Sequence, residues 1–250
     1  MNILVCVSHV PDTTTRINVA ADGKSMDPAG VKFILNPYDE FAVEEALRLR
    51  DKHKGEVTAI SVGGDNVKEA IRQALAMGAD KGILIKGEKT DSYQVAVMLA
   101  DAIKPLNADL ILLGKQSIDF DGMEIAPMLS ELLNLPAATV AVSLTIEGNR
   151  ATVEKEVEGG KEVIELTMPC IVAAQKGLND PRYPSLPNIM KAKQKPIQDI
   201  VGTLGAARTE IIQMTKPEKK RANKILKSDG NGAAAAHELA RLLHEEAKVI

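Results

Sequence analysis

Two short loops hold residue types that could bind an anion. The stretch SVGGDNVKEAI (61–71) sets Gly63 and Gly64 between a strand-like run and a helix-like one. The stretch LLGKQSIDFDG (112–122) puts Gly114 and Lys115 in the same kind of turn, with Ser117 as a further donor. At such turns, free backbone N–H groups and the dipole of the next helix attract a phosphate. Glycines there can equally be plain turn residues. Neither loop fits GxGxxG or GxxxxGKS/T, so a standard dinucleotide or triphosphate fingerprint is missing. Asp119 and Asp121 flank Phe120 and could act as a carboxylate pair, or simply cap backbone N–H groups. His9, His53, His237 and His244 have no carboxylate or cysteine at metal-ligand spacing and read as solvated surface side chains. Cys6 and Cys170 form no CxxC, and no GxSxG or Cys–His pair stands out. The residues describe a nucleotide-binding chain with no catalytic and no metal-ligating constellation.

The elements that must position these loops alternate. Apolar runs at 3–7, 57–62, 82–85 and 110–113 read as buried strands of a parallel sheet. Between them, helical spacing is carried by Ala42, Ala46 and Leu49, then by Val67, Ala70, Ile71, Ala74 and Leu75, then over 92–104. Asn36-Pro37 opens the first helix as N-cap and first-turn residue. Residues 8–35 read as irregular. Such β–α repeats imply a Rossmann-like α/β sheet with helices on both faces. The pattern then changes: 138–147, 150–158 and 162–174 read as an antiparallel meander. From 197 to 231 there is little periodicity, with a basic cluster at 216–224, and the stretch reads as an extended arm. Ala236, Leu239, Ala240 and Leu243 mark a terminal amphipathic helix. The expected division is a nucleotide-binding domain, 1–199, and an arm with its helix, 200–250.

Composition narrows the function further. The chain has 250 residues, a formal net charge of −3, and only three Tyr, three Phe and no Trp. It has neither the basic charge nor the stacking aromatics that nucleic-acid binding needs. No apolar run approaches the roughly 20 residues that span a bilayer. Two distant cysteines suit a reducing compartment, and no Arg/Ser-rich transit segment precedes the first strand.

The segment NDPRYPSLPNIMKAKQKPI (179–197) is punctuated by Pro181, Pro184 and Pro187, with Leu186 between them. It could be a rigid docking loop or a structural connector. This segment closely resembles the signature of electron transfer flavoprotein beta subunits. NPYDEFAVEEALRL (36–49), ALAMGAD (74–80), DLILLGKQSIDFDG (109–122) and ILVCVSHVPD (3–12) are similar to that family as well, in register to about residue 200.

The resemblance implies an obligate heterodimer whose alpha subunit holds most of the FAD, and a buried AMP in the beta subunit. Carried over by position, AMP would meet Cys6, Asn36, Pro37, Tyr38, Asp39 and Val62. It would also meet the loop of Gly114, Lys115, Gln116, Ser117, Ile118, Asp119, Phe120, Asp121, Gly122, Met123, Glu124 and Ile125. Thr13 and Tyr38 would lie near the flavin. Arg182, Tyr183, Leu186, Ile189, Met190 and Lys191 would form a recognition loop for acyl-CoA dehydrogenases, with Leu186 as anchor. Electrons would pass on to a membrane electron transfer flavoprotein-quinone oxidoreductase, and the chain would be an electron carrier rather than an enzyme. The arm would lie on the alpha subunit. By family, the location would be the bacterial cytoplasm or the mitochondrial matrix. One alternative is the bifurcating branch, with a second FAD in place of AMP. Another is a non-redox nucleotide-sensing module.

Overall fold

Ile3, Val5 and Val7 face one core, while Leu4 and Cys6 face another. Alternate residues of a strand point to opposite faces, so a strand covered on both sides must be apolar throughout. The computed structural model describes residues 1–87, 91–217, 223–228, 230 and 232–250. The strands are β1 (Asn2–Cys6), β2 (His9–Pro11), β3 (Phe33–Leu35), β4 (Glu56–Gly63), β5 (Lys81–Lys86) and β6 (Leu110–Gly114). They continue with β7 (Ala137–Glu147), β8 (Arg150–Val157), β9 (Gly160–Thr167), β10 (Cys170–Ala174) and β11 (Ile197–Val201). The helices are α1 (Pro37–His53), α2 (Lys68–Met77), α3 (Ser92–Ile103), α4 (Ile125–Leu133), α5 (Leu186–Ala192) and α6 (Ala233–Arg241). Nine strands form one sheet in the order β11-β5-β4-β1-β6-β10-β7-β8-β9. All neighbours are parallel except β7/β8 and β8/β9. Helices α1 and α2 cover one face, α3 and α4 the other. This is the Rossmann-like α/β fold that the sequence implies. No helix among the described residues is long and apolar enough to cross a membrane.

Four parts differ from expectation. The run 162–174 is two strands, not one. It breaks at Met168-Pro169 because proline has no N–H to give a ladder. Its second half, β10, then returns to the parallel sheet between β6 and β7. The stretch 8–35 holds the antiparallel pair β2–β3, with Val10 opposite Ile34. In the proline-rich segment, Ser185 caps α5 and Pro187 sits in its first turn, so the segment is partly helical. Residues 197–201 are an edge strand beside β5, not part of a free arm. A Cβ on Gly82 would stand 2.4 Å from Ile71 and 3.2 Å from Ile197, so glycine admits both side chains.

The chain divides into two compact units, Met1–Met214 and Thr215–Ile250. The first unit thus runs beyond the expected boundary at 199. Gln94 Nε2 donates to Gly205 O at 2.8 Å, and Met214 N to Gly23 O at 2.8 Å. In the second unit, α6 continues into a π turn at Leu242–Glu246, and neither contains a buried residue. Of the basic cluster, residues 218–222 lie outside the described residues.

Leu47 on α1 is fully buried in the core beneath the sheet. Leu47→Ala should lower unfolding free energy by about 2–5 kcal/mol, read by urea titration. A loss under about 0.5 kcal/mol would mean that α1 does not pack as described.

Candidate functional site

The chain runs from β1 to β4 and β5 on one side, then crosses back to β6 on the other. Strand order reverses between β1 and β6, and ligands of open α/β sheets bind in the crevice beyond the strand ends there. A cleft lies at that place. Cys6, Val7 and Ser8 from the end of β1, Ser61 and Val62 of β4, and Leu113 and Gly114 of β6 form its floor. Asn36 and Asp39 of the α1 start, and Val95 and Leu99 of α3, form its sides. Lys115, Gln116, Ser117, Gly122, Ile125 and Ala126 close it from the loop before α4.

Asp39 holds the floor together. Its two carboxylate oxygens accept from Ser8 N at 2.7 Å and from Gly114 N at 2.9 Å. A Cβ on Gly114 would fall 2.4 Å from Asp39 Oδ1, so the close approach demands glycine. Burial pushes the Asp39 carboxyl up to about 7, against the pull of its hydrogen bonds. Burial, with the Asp39 charge beside it, pushes the Cys6 thiol up to about 12. Burial also raises Cys170, to about 11, so both cysteines stay protonated thiols.

Asn36 stands where the sequence places a helix cap, but its side chain caps nothing in α1. Instead Nδ2 donates to Gln116 O at 2.9 Å, and Oδ1 accepts from Ile118 N at 3.4 Å. That pins the outer loop to α1. Within the loop, Gln116 donates to Asp121, and Asp119 accepts from Ser117 Oγ and Phe120 N. Asp119 is therefore a turn cap, one of the two readings its sequence allows. Lys115 Nζ stands 5.1 Å from the centre of the Tyr38 ring. No side chain caps α4, whose first residues Ile125 and Ala126 line the cleft. Their N–H groups are free to meet an anion.

Of the residues expected around AMP, the cleft is lined by Cys6, Asn36, Asp39, Val62, Gly114, Lys115, Gln116, Ser117, Gly122 and Ile125. Pro37, Tyr38, Asp121, Met123 and Glu124 do not line it. Ile118, Asp119 and Phe120 border a second groove of about 1040 Å³, together with Thr13, Gly63, Gly64 and Lys86. Thr13 and Tyr38 do not share a cavity. Val7, Ser8, Ser61, Val95, Leu99, Leu113 and Ala126 are additions that sequence reasoning misses. The two serines had a positional signal, being at or just past strand ends, while Val95 and Leu99 look like ordinary core residues of α3. His9 is not the surface residue expected; it is buried, with its ring 5.1 Å from that of Phe33. Among the described residues no cluster could hold a metal ion.

The proline-punctuated segment is anchored rather than free. Arg182 Nε and Nη2 donate to the two oxygens of Glu44 at 2.7 and 3.1 Å. Asn179 Nδ2 donates to Phe41 O and Glu45 Oε2, both at 2.9 Å. Tyr183, Leu186, Ile189 and Met190 are left exposed.

These features define a Rossmann-like α/β protein with a ligand cleft at its switch point and an apolar display on a braced segment. Residues 25–203 match the family described as electron transfer flavoprotein domain. The chain is 42% identical to the electron transfer flavoprotein subunit beta of Bacillus subtilis (strain 168), with 100% of each chain covered. It is 44% identical to the subunit of that name from Bradyrhizobium diazoefficiens, covering 89% of this chain and 92% of that one. To the human subunit beta it is 39% identical, covering 97% and 99%. The chain belongs to the electron transfer flavoprotein family, among its beta subunits.

Asp39→Asn keeps one acceptor and turns an amide N–H₂ toward a backbone N–H. It should cost about 1–3 kcal/mol of stability through the donor left unmet. In the native chain the folded carboxyl holds its proton up to about 7, whereas the unfolded one releases it near the ordinary 3.8. The unfolded state therefore binds fewer protons in that window, and Asp39 lowers stability as pH rises through it. Melting across pH 4–8 should show this slope reduced in Asp39→Asn. An unchanged slope would remove Asp39 as its source.

Proposed function

We propose that this chain is the beta half of a heterodimeric electron carrier. It takes electrons from acyl-CoA dehydrogenases and passes them to a membrane quinone oxidoreductase, with AMP held in the cleft. The observation that carries this reading is the exposed apolar set on the braced segment, with Leu186 exposed to 79% and Tyr183 to 97%. Large apolar side chains fixed in water mark a docking surface. FAD, held mainly by the alpha subunit, supplies the electron-accepting centre when bound. Thr13, exposed on the rim of the second groove, and Tyr38, half-buried beside Lys115, are the residues of this chain that would approach it.

The cleft's chemistry suits AMP. Val62, Leu99 and Leu113 give apolar walls for a base, and Lys115, Ser117 and the open N-terminus of α4 suit a phosphate. The enclosed space is about 60 Å³, well below the roughly 300–1,000 Å³ of small-molecule sites, so the loop of residues 115–124 must swing outward to admit a nucleotide. The terminal helix, with no buried residue, would find its cover on the alpha subunit.

A second reading keeps the same family but puts a second FAD in place of AMP. It is favoured by the groove of about 1040 Å³, which shares the loop 117–122 with the cleft and could take the larger ligand. Nucleotide released from the denatured heterodimer decides between them. One FAD and one AMP are expected; two FAD would replace the first reading by the second.

Leu186→Ala tests the docking surface directly. Filling an apolar pocket with a leucine is worth about 1.5–3 kcal/mol, so dehydrogenase affinity should fall roughly ten- to a hundredfold. FAD content and reduction by dithionite should stay native. Native electron acceptance from every dehydrogenase at subsaturating concentration would reject the docking role.

A further inference from the structure

The segment that presents Leu186 is clamped at both ends by polar contacts, and at its start the acceptor is hidden while the Arg182 side chain stays 40% exposed. At its start, Glu44 of α1 is 4% exposed. Its carboxylate accepts from Arg182 Nε, Arg182 Nη2, Arg182 N and Arg48 Nε, at 2.7, 3.1, 3.2 and 2.9 Å. Burial alone would raise the Glu44 carboxyl, but the hydrogen bonds from Arg182 and Arg48 outweigh it and hold the group below its usual range. At the other end, Arg72 Nη1 of α2 donates to Ala192 O and Lys195 O, at 2.5 and 2.6 Å. Lys195 Nζ returns to Leu75 O at 3.1 Å and to Ala79 O.

We propose that Glu44 is a positioning residue for dehydrogenase docking: it fixes Arg182, and through it the segment that presents Leu186. This rests on the docking reading given above. The argument is geometric. A helix as short as the seven residues of α5 does not hold itself in water. Without the clamps, Leu186, Ile189 and Met190 would gain by folding onto nearby surface, and docking would have to restore their arrangement. Glu44 is too buried to touch a partner, so any effect of changing it on docking must pass through Arg182. Arg182 itself, expected as a docking contact, has its guanidinium fork occupied by Glu44 and acts as the link. The fork matters, because only a planar guanidinium can engage both carboxylate oxygens at once.

The test uses the complete heterodimer and purified acyl-CoA dehydrogenase, with Glu44→Gln, Leu186→Ala and the double variant. Glu44→Gln leaves one acceptor oxygen in place, so the fold can survive the change. It should raise the apparent KM for the dehydrogenase roughly three- to tenfold while kcat at saturation and FAD content hold. Hydrogen exchange of the amides over 182–192 should quicken. In the Leu186→Ala background, Glu44→Gln should add little, since a residue that acts by presenting Leu186 has nothing left to present. If Glu44→Gln fails to assemble, Arg182→Lys carries the same cycle, because it keeps the charge but loses the fork. A native KM in Glu44→Gln and Arg182→Lys beside a weakened Leu186→Ala would overturn the positioning role and leave the docking reading standing. So would an undiminished effect of Glu44→Gln in the Leu186→Ala background, or a fall in kcat and FAD content together. Native behaviour of Leu186→Ala would instead remove the docking reading and this inference with it.

Discussion

The geometry of the cleft hangs on one buried carboxylate. At the ends of β1 and β6 two backbone N–H groups, those of Ser8 and Gly114, are met by a side chain instead of a neighbouring strand. Asp39 supplies both replacements, one oxygen to Ser8 and one to Gly114. A carboxyl in such a place is under two opposed pressures. Burial favours the neutral acid, and two backbone donors favour the anion. Burial wins, and the group is pushed up to about 7. The arrangement is tight enough to dictate its neighbour: a Cβ on Gly114 would stand 2.7 Å from the backbone carbon of Tyr38. Gly114 is thus a packing glycine, and the loop after it begins where the first turn of α1 allows.

The same helix braces both the cleft and the exposed segment. Its first turn carries Asn36 and Asp39 to the cleft. Further along, Phe41, Glu44 and Glu45 hold Asn179 and Arg182 at the foot of that segment. Between them Ala42, Val43, Ala46 and Leu47 are fully buried against the sheet. The helix therefore has little freedom to tilt at one end without moving the other. Its acidic residues are in large part structural ties. Asp39, Glu44 and Glu45 are all buried.

What could be read from the sequence followed from period and punctuation. The apolar runs gave the inner strands, and of the two glycine loops at their ends the one at Gly114 lines the cleft while Gly63 and Gly64 border the second groove. Pairings with weak local signals were hidden. Ile197–Val201 has only two half-buried isoleucines, and its strand state is set by β5 lying alongside. The break at Pro169 was legible in principle, since proline cannot serve an inner ladder, yet the apolar run on either side masked it. Ser8 and Gly114, which Asp39 holds, and Arg182, which Glu44 holds, lie 31 or more positions away in the chain, so no local pattern announces them. The resemblance to the family singles out the segment 179–197. It did not supply the way that segment is held.

Exposed apolar side chains need such an explanation only where they gather. Val163 on the edge strand β9 is exposed as surface residues commonly are. Around α5 the usual arrangement is reversed. The carboxylates of Glu44 and Glu45 lie within, the Arg182 side chain lies over Glu44 at the surface, and Tyr183, Leu186, Ile189 and Met190 lie outside. Burying a carboxylate is expensive compared with an apolar contact of the same size, so the reversal is not how stability alone would be gained. Its effect is orientation. A hydrogen-bonded ion pair fixes direction where apolar packing fixes only proximity, so the exposed apolar set is held in one pose.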